Sequence, residues 1–491
     1  MRCFSGISIA LVIMFIFAFL GREVLSMSQF NPVTEAVLEA LRNAVGVAYV
    51  RTDVETLEKY KTDDEVLPRY HHLPEVVVLP GSTEEVAAIM KIANKFLVPV
   101  TPRSGGTSVA CGAIPVFGGI VMLMERMNRI LELNSDAMYM VVEAGARTVE
   151  IQQEANKAGF LYAGDPCSAE SCLIGGNLAT NAGGNKAVRY GTTRHQVYSI
   201  ECVLPTGEIV NFGGRLKKCS TGYCLDQLII GSEGTLGIVT KATLKLLPLC
   251  PYRLDVLAVF TDLNKAVTLV PNLLKAGLNP TSVEFMDNSF VRVGCDFTGI
   301  MLPHYEDGLY LIVTLETFTE DELELKMEQL EELCEASGAV EVLEADERLW
   351  TVRRSCQEAS KRLSKVCTDD DLVVPVDKIG ICIEHLNEVS KAYHFRLMCL
   401  AHAGDGNLHF RILKLDMADE DWERELSSFH NYAYGYVYGL GGRLSGEHGI
   451  GAKKIRELEI FCDPVELAVM KTIKRALDPK NVLNPGKLID A

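Results

Sequence analysis

Two glycine-rich segments could serve a phosphate-bearing ligand: PRSGGTS at 102–108 and CLIGGNLATNAGG at 172–184. Glycine takes φ > 0 without steric penalty, so successive backbone N–H groups can turn together toward an anion. Either loop alone reads equally well as an ordinary tight turn. Two in one chain suggest a ligand with a long phosphate tail, and SEGTLGIV at 232–239 adds a third glycine cluster. Downstream come HAGDGNLH at 402–409 and SGEHGIG at 445–451. Strands FRLMCLAH and LHFRIL about the turn AGDGN form a hairpin that would hold His402 and His409 at its mouth. Neutral imidazoles suit Zn²⁺, Mn²⁺ or Fe²⁺, and a carboxylate such as Glu447 would complete a three-ligand set with an open position. Two histidines so spaced are, by themselves, more often structural. His448 follows Glu447, and neighbouring side chains on extended backbone diverge, so one can face a metal while the other faces a substrate. Histidine titrates near neutrality, which suits a general base; its plain alternative is a cap on a glycine turn. Arg411 lies two residues beyond His409, on the same strand face.

The elements that must position these groups fall into two patterns. Residues 32–45 predict a helix, 74–80 (PEVVVLP) a short strand, and 84–94 a helix whose apolar stripe precedes the first glycine loop. Further strands are expected at 119–124 and 140–143, with a helix over 148–158 ending at Gly159. Strands alternating with helices indicate an α+β fold. No G-x-G-x-x-G follows a strand and no G-x₄-GK[ST] occurs, so neither a Rossmann nor a P-loop site is supported. Prolines at 248 and 251 mark a change of pattern. Beyond them, strands at 254–260, 309–316 and 395–402 predict an antiparallel sheet backed by charged helices, of which 320–337 reads as a solvated acidic face. The expected organisation is a helical region over 27–72, a cofactor domain over 73–250, a cap domain over 251–440 and a closing segment over 441–491.

Five motifs in this order, spanning about 73–488, make the chain resemble the vanillyl-alcohol oxidase/PCMH superfamily. Within it, the chain is similar to the D-2-hydroxyacid dehydrogenase branch of glycolate oxidase flavin subunits, D-lactate dehydrogenases and D-2-hydroxyglutarate dehydrogenases. That resemblance implies a PCMH-type FAD-binding domain of two subdomains plus an antiparallel-sheet cap. It places FAD, bound non-covalently, on Pro102, Arg103, Ser104, Gly105, Gly106, Thr107 and Ser108, then on Pro166, Ser168, Gly175, Gly176, Asn177, Asn181, Gly183, Gly184, Glu233, Gly237, Ile238 and Asn484. It implies His402, His409 and Glu447 as metal ligands, His448 as the base that takes the hydroxyl proton as hydride leaves for the flavin, and Arg353 as receiver of the substrate carboxylate. Arg354 takes that role if the helix phase is shifted by one. Arg411 stands where D-2-hydroxyglutarate dehydrogenases carry an Asn, and Asp369 aligns near a lysine of theirs. Both departures argue against a dicarboxylate and for glycolate, D-lactate or another small D-2-hydroxyacid. Electrons would then leave to a quinone, an electron-transfer flavoprotein or an iron–sulfur partner. The competing readings are another flavoenzyme of the superfamily, such as an alcohol oxidase or alkyl transferase, and a non-catalytic flavin-bearing electron-transfer subunit.

Composition bounds these readings. A chain of 491 residues is long enough to bury a large cofactor, and its net charge of −17 argues against nucleic acid. Fifteen scattered cysteines fit reduced thiols, with the pairs 167/172 and 219/224 read as packing. No C-x₂-C-x₂-C run supports an iron–sulfur cluster. The expectation is a cytoplasmic protein, with membrane association and homo-oligomerisation left open. Residues 1–26 conflict with it: they are uncharged from Cys3 to Gly21, as in a signal-peptide core or an anchor, unless Met27 is the true initiator.

Overall fold

The computed structural model describes residues 29–65 and 67–490, so the apolar segment 1–26 lies outside the described residues. The first sheet has four strands in the order Val50–Arg51, Val76–Val78, Ile120–Leu123, Val100–Arg103, the last three parallel. Its strands are buried on both sides (Val76, Val77, Val78 and Ile120 to Met122 are all inaccessible), which explains their unbroken apolar runs. Helix Thr83–Phe96 covers it, starting where the Ser82 hydroxyl accepts from Glu85 N. The expected helix at 32–45 forms over Glu35–Val45, and that at 84–94 extends by a residue or two at each end.

A second, antiparallel sheet runs in the order Ile130–Asn134, Tyr139–Glu143, Ile238–Lys245, Val197–Val203, Ile209–Gly213. The two glycine loops meet one another, since a Cβ on Gly105 would lie 2.9 Å from Ser171 O.

The third sheet has seven antiparallel strands in the order Glu341–Glu344, Tyr252–Phe260, Leu309–Thr317, Ser282–Met286, Arg396–His402, Asn407–Leu413, Cys367–Val373. Alternate residues of Tyr252–Phe260 enter different cores: Val256, Ala258 and Phe260 join one cluster, Leu257 and Val259 the other. Helices Leu263–Lys275, Ile379–Ser390 and Asp419–Gly439 pack on the first face, Asn288–Thr298 and Glu347–Leu363 on the second. The acidic helix Glu320–Ala336 buries only Leu330 and Cys334, as expected of a solvated face. The tail then returns across the molecule: Leu483 bridges Val100, and Asn484 N donates to Val100 O at 2.7 Å. No helix among the described residues is long and apolar enough to cross a membrane.

Candidate functional site

The hairpin expected around AGDGN forms, pairing Arg396–His402 with Asn407–Leu413. His402 and His409 come together at its mouth, ring centroids 5.0 Å apart and nearly perpendicular. The segment 445–448 folds over them. Glu447 Oε1 lies 3.4 Å from His402 Nε2 and 3.3 Å from His409 Nε2, and the three ligand atoms sit within 4.8 Å of one another. His448 stacks on His409 at 5.3 Å.

Each histidine of the hairpin faces a carboxylate across the sheet. Glu284 is the antiparallel partner of His402, and Asp371 is the partner of His409. Glu284 is fully buried, the one charged residue of its strand, and its oxygens take His402 Nδ1 at 2.7 Å and Arg353 Nη2 at 2.8 Å. Bonding at Nδ1 orients the ring and leaves Nε2, buried and without a hydrogen-bond partner, aimed at Glu447. Burial alone would lower the His402 pKa, but the Glu284 carboxylate outweighs it and holds the imidazole well above its ordinary range. Burial likewise pushes Glu447 up, and the two histidines overcome it, leaving the carboxyl well below its usual range. The cluster is thus built to carry positive charge between Glu284 and Glu447, and its two nitrogens and one oxygen fit a divalent ion.

A second set, Asp371, His409 and His448, also lies close enough to be considered. Asp371 is already committed, however. Its Oδ2 accepts from Ser445 Oγ at 2.6 Å and from the backbone N–H groups of Gly446, Glu447 and His448 at 3.1, 3.1 and 2.8 Å, while Oδ1 accepts from Asn407 Nδ2 at 2.7 Å. Asp371 therefore shapes the turn that presents Glu447 and His448. The donor set with a free nitrogen is His402, His409 and Glu447.

Glu447 and His448 form one wall of a cavity of about 440 Å³ whose other walls are the glycine loops. Of the residues expected at a flavin, Pro102, Arg103, Ser104, Gly105, Gly106, Thr107 and Ser108 line it, as do Pro166, Ser168, Gly175, Gly176, Asn177, Glu233, Gly237 and Ile238. Close approach explains the glycines: a Cβ on Gly175 would come within 2.8 Å of Ala144 O and 3.0 Å of Ser104 Oγ. Asn181, Gly183, Gly184 and Asn484 do not line it. Gly183 serves the other side of the site, since a Cβ there would lie 2.8 Å from Glu447 Oε2. Asn484 Nδ2 donates to Glu233 O, and the Glu233 carboxylate in turn accepts from Ile450 N and Gly451 N, both at 2.7 Å.

The structure moves the two expected carboxylate-binding arginines off the cavity wall. Arg353 is neutralised by Glu284, and Arg411 donates to its cross-strand partner Asp369 at 2.6 Å. Arg354 pairs with Glu347 on the exposed side of the helix. Asp64, Asp369 and Gln357 line the cavity instead. The packing role expected of the paired cysteines holds for Cys172 and fails for Cys219, Cys224 and Cys167, which are exposed, the last of them into the cavity. Glu284 and Asp371 escaped the sequence reading. Their signals were a lone charged residue inside the strand SVEFM and an Asp run, TDDDLVV, inside a strand.

Comparison with known proteins identifies the family and the fold. Residues 252–488 match the family model of the C-terminal domain of FAD linked oxidases, and residues 74–213 match an FAD binding domain. The chain is 36% identical to the D-lactate dehydrogenase of Anaerostipes hadrus over 470 residues, covering 94% of this chain and 98% of that one. The chain belongs to the FAD-linked oxidases. This FAD-linked oxidase is also 34% identical over 426 residues to the glycolate oxidase subunit GlcD of Bacillus subtilis, covering 86% of this chain and 90% of that one. Among solved structures, p-cresol methylhydroxylase superposes with a TM-score of 0.79 at 17% identity, covering 93% of this chain and 97% of that one. The 4-ethylphenol oxidase of Gulosibacter chungangensis superposes at 0.73 with 20% identity over 93% of this chain and 97% of that one. At such identity the likeness speaks for the fold, and that fold is PCMH-type, as the motifs implied. The mixed helix-and-sheet architecture of an FAD-linked oxidoreductase is therefore in place.

Proposed function

We propose that this protein oxidises a small D-2-hydroxyacid of the glycolate or D-lactate type to its 2-oxoacid. When bound, FAD supplies a hydride acceptor and a divalent ion (Zn, Mn or Fe) supplies a Lewis acid for the substrate oxygens. The glycine loops at 102–108 and 175–177 hold the flavin non-covalently, and His402, His409 and Glu447 hold the ion. His448 takes the hydroxyl proton on an imidazole nitrogen as the α-carbon loses its hydride. Asp371 keeps His448 and Glu447 at their places through the four donors it gathers from 445–448.

The substrate carboxylate meets no free guanidinium on the wall. Arg103, the one Arg or Lys lining the cavity among the described residues, is spent on Thr62 O at 2.6 Å and on the Tyr60 ring. A bound ion held by His402, His409 and Glu447 would supply positive charge for it, with the Gln357 amide as a neutral donor. Arg353 acts one step back, through Glu284 on His402. Asp64 and Asp369 on the same wall would repel a second carboxylate, which favours a monocarboxylic substrate.

The observation that carries this reading is that Glu447 and His448 share a cavity wall with the glycine loops, with both hairpin histidines directly behind Glu447. Relatives named for D-lactate and glycolate support the substrate class. Anaerobic mixing with D-lactate, glycolate, L-lactate, D-malate and an aromatic alcohol tests it through bleaching of the flavin band. D-lactate or glycolate should reduce the flavin fastest and D-malate far more slowly. Reduction by the aromatic alcohol alone would overturn the proposal.

A further inference from the structure

The turn that carries Glu447 and His448 is attached to both faces of one strand. Cys367–Val373 is an edge strand of the seven-stranded sheet, and at its end Val373 and Arg443 exchange backbone hydrogen bonds of 3.2 and 2.9 Å. Consecutive strand residues point to opposite faces, and two consecutive aspartates use that alternation. Asp371 faces His409 and takes the donors of 445–448 on one oxygen. Asp370 points the other way, buried under helix Asp419–Gly439. Its Oδ1 accepts from Tyr434 Oη at 2.6 Å and lies 3.9 Å from Lys454 Nζ, while Oδ2 lies 3.0 Å from His430 Nε2. Burial would raise this carboxyl, but His430, Lys454 and Tyr434 outweigh it and hold it well below its usual range. Lys454, itself buried, is thus a cation with its counter-charge inside the cap. Its Nζ donates to Leu444 O at 2.9 Å, and its backbone N–H donates to Ile450 O at 3.1 Å. One residue therefore ties the start of the SGEHGIG turn to its far end. Lys453 beside it goes elsewhere, to Glu65 at 2.6 Å.

We infer that Lys454 is a positioning residue for the proposed reaction, one that sets the span of the turn and so the direction in which the His448 imidazole meets the cavity. The inference rests on the role proposed for His448 and adds a residue that does not itself line the cavity. Four donors converging on one oxygen of Asp371 hold the turn at a point, and Glu233 holds its exit at 450–451. Neither fixes the distance between entry and exit. The Lys454 side chain does, because it returns from the exit to the carbonyl of Leu444. Asp370 acts through it: the carboxylate keeps a buried ammonium in place, and the ammonium keeps the turn closed. A hydrogen bond from a charged donor in a buried setting contributes more than a neutral one, which suits a joint that must not breathe during proton transfer.

The test uses the full-length protein with Lys454→Met, which keeps an apolar stem and removes the donor, and Asp370→Asn, which is isosteric and one step removed from the turn. Hydrogen exchange read by mass spectrometry on the flavin-free proteins needs no turnover. In Lys454→Met the amides of 446–451 should open roughly 10-fold faster or more, as for loss of a charged hydrogen bond, while helix Glu347–Leu363 exchanges as in the parent. Anaerobic stopped-flow at saturating FAD and metal then separates rate from binding. The limiting rate of flavin reduction should fall roughly 10–100-fold, the cost of a misplacement on the order of 1 Å, with the half-saturating hydroxyacid concentration and flavin content near the parent's. Asp370→Asn should shift both readouts the same way by less, and it decides the matter if Lys454→Met does not fold. Parental exchange at 446–451, or faster exchange there with parental reduction, would overturn the inference. So would faster exchange spread through the cap, which is lost stability and not lost position. A parent that no hydroxyacid reduces would remove the proposed reaction and this role with it, whereas a reducible parent beside an indifferent variant would remove only the role of Lys454.

Discussion

The flavin side of the cavity and the wall opposite it are built on different principles. The loops at 102–108 and 172–184 work through the backbone: absent side chains at positions such as Gly175 let the chain pass within contact of Ala144 O. The opposite wall works through side chains whose neighbours come from three separate strands, as Glu284 does for His402 and Asp371 for His409. A backbone site is specified locally and fails locally. A cross-strand site is specified by register, and one lost partner misaims a ligand that is itself intact.

The sharpest break of this comparison is His448→Ala. Flavin reduction by the preferred hydroxyacid should slow by roughly 10²–10⁴-fold while flavin and metal contents stay at parent levels, as for loss of a general base. Stopped-flow reduction beside cofactor analysis measures it, and near-parental reduction would remove His448 from the proton-transfer role.

The seam between the two regions gives the next effect. Lys487, buried on the returning tail, donates to Ile114 O at 2.6 Å, and burial pulls its pKa down from 10.5 to about 8. Between those values the unfolded chain binds a proton that the folded chain does not, so this group makes stability rise with pH across the window. Below pH 8 the penalty is present in full. Relative to Lys487→Met, the parent should gain roughly 3 kcal/mol across that range. Urea unfolding of both proteins at pH 8 and pH 10 checks the sign; parallel pH dependence would contradict the burial of a charged amine.

Glu284→Gln removes a cross-strand partner and leaves every ligand in place. Metal affinity should fall roughly 10–100-fold, as for other changes behind a metal ligand, with flavin retained. Competition with a chelator reads the affinity, and an unchanged value would mean that register contributes nothing to the wall. Gly175→Ala is the converse. Roughly 1–3 kcal/mol of overpacking against Ala144 O should weaken FAD binding and spare the metal. Flavin-to-protein ratios after gel filtration, beside elemental analysis, separate the two.

The same distinction explains what was legible in the sequence. The glycine loops, the AGDGN hairpin and the helices at 35–45 and 83–96 announce themselves through local composition and period, and they lie where that local signal puts them. Fifteen of the residues expected at the flavin line the cavity for the same reason. Arg353 and Arg411 are on the expected elements, but a guanidinium goes to the carboxylate that register puts beside it, and Glu284 and Asp369 lie 69 and 42 residues away in sequence. Glu284 and Asp371 were hidden for that reason, since pairing of distant strands leaves no trace in the spacing of either. Cys167 was misread as packing because a cysteine in a loop carries no sign of which cavity it faces.

Glu233 joins the two regions in a way that bears on how the enzyme is assembled. Its carboxylate sits in the segment 232–239 beside the cofactor cavity, yet both of its oxygens are spent on the N–H groups of Ile450 and Gly451, two and three residues past His448. Under the proposed function, ordering of 232–239 by FAD would be passed through these two hydrogen bonds to the loop that carries the proposed base. Flavin loading and ordering of the proposed proton acceptor would then be coupled, each favouring the other by the same factor. Flavin-depleted enzyme should exchange the amides of 449–451 faster and bind hydroxyacid more weakly, so that the protein withholds its substrate until it has something to pass the electrons to.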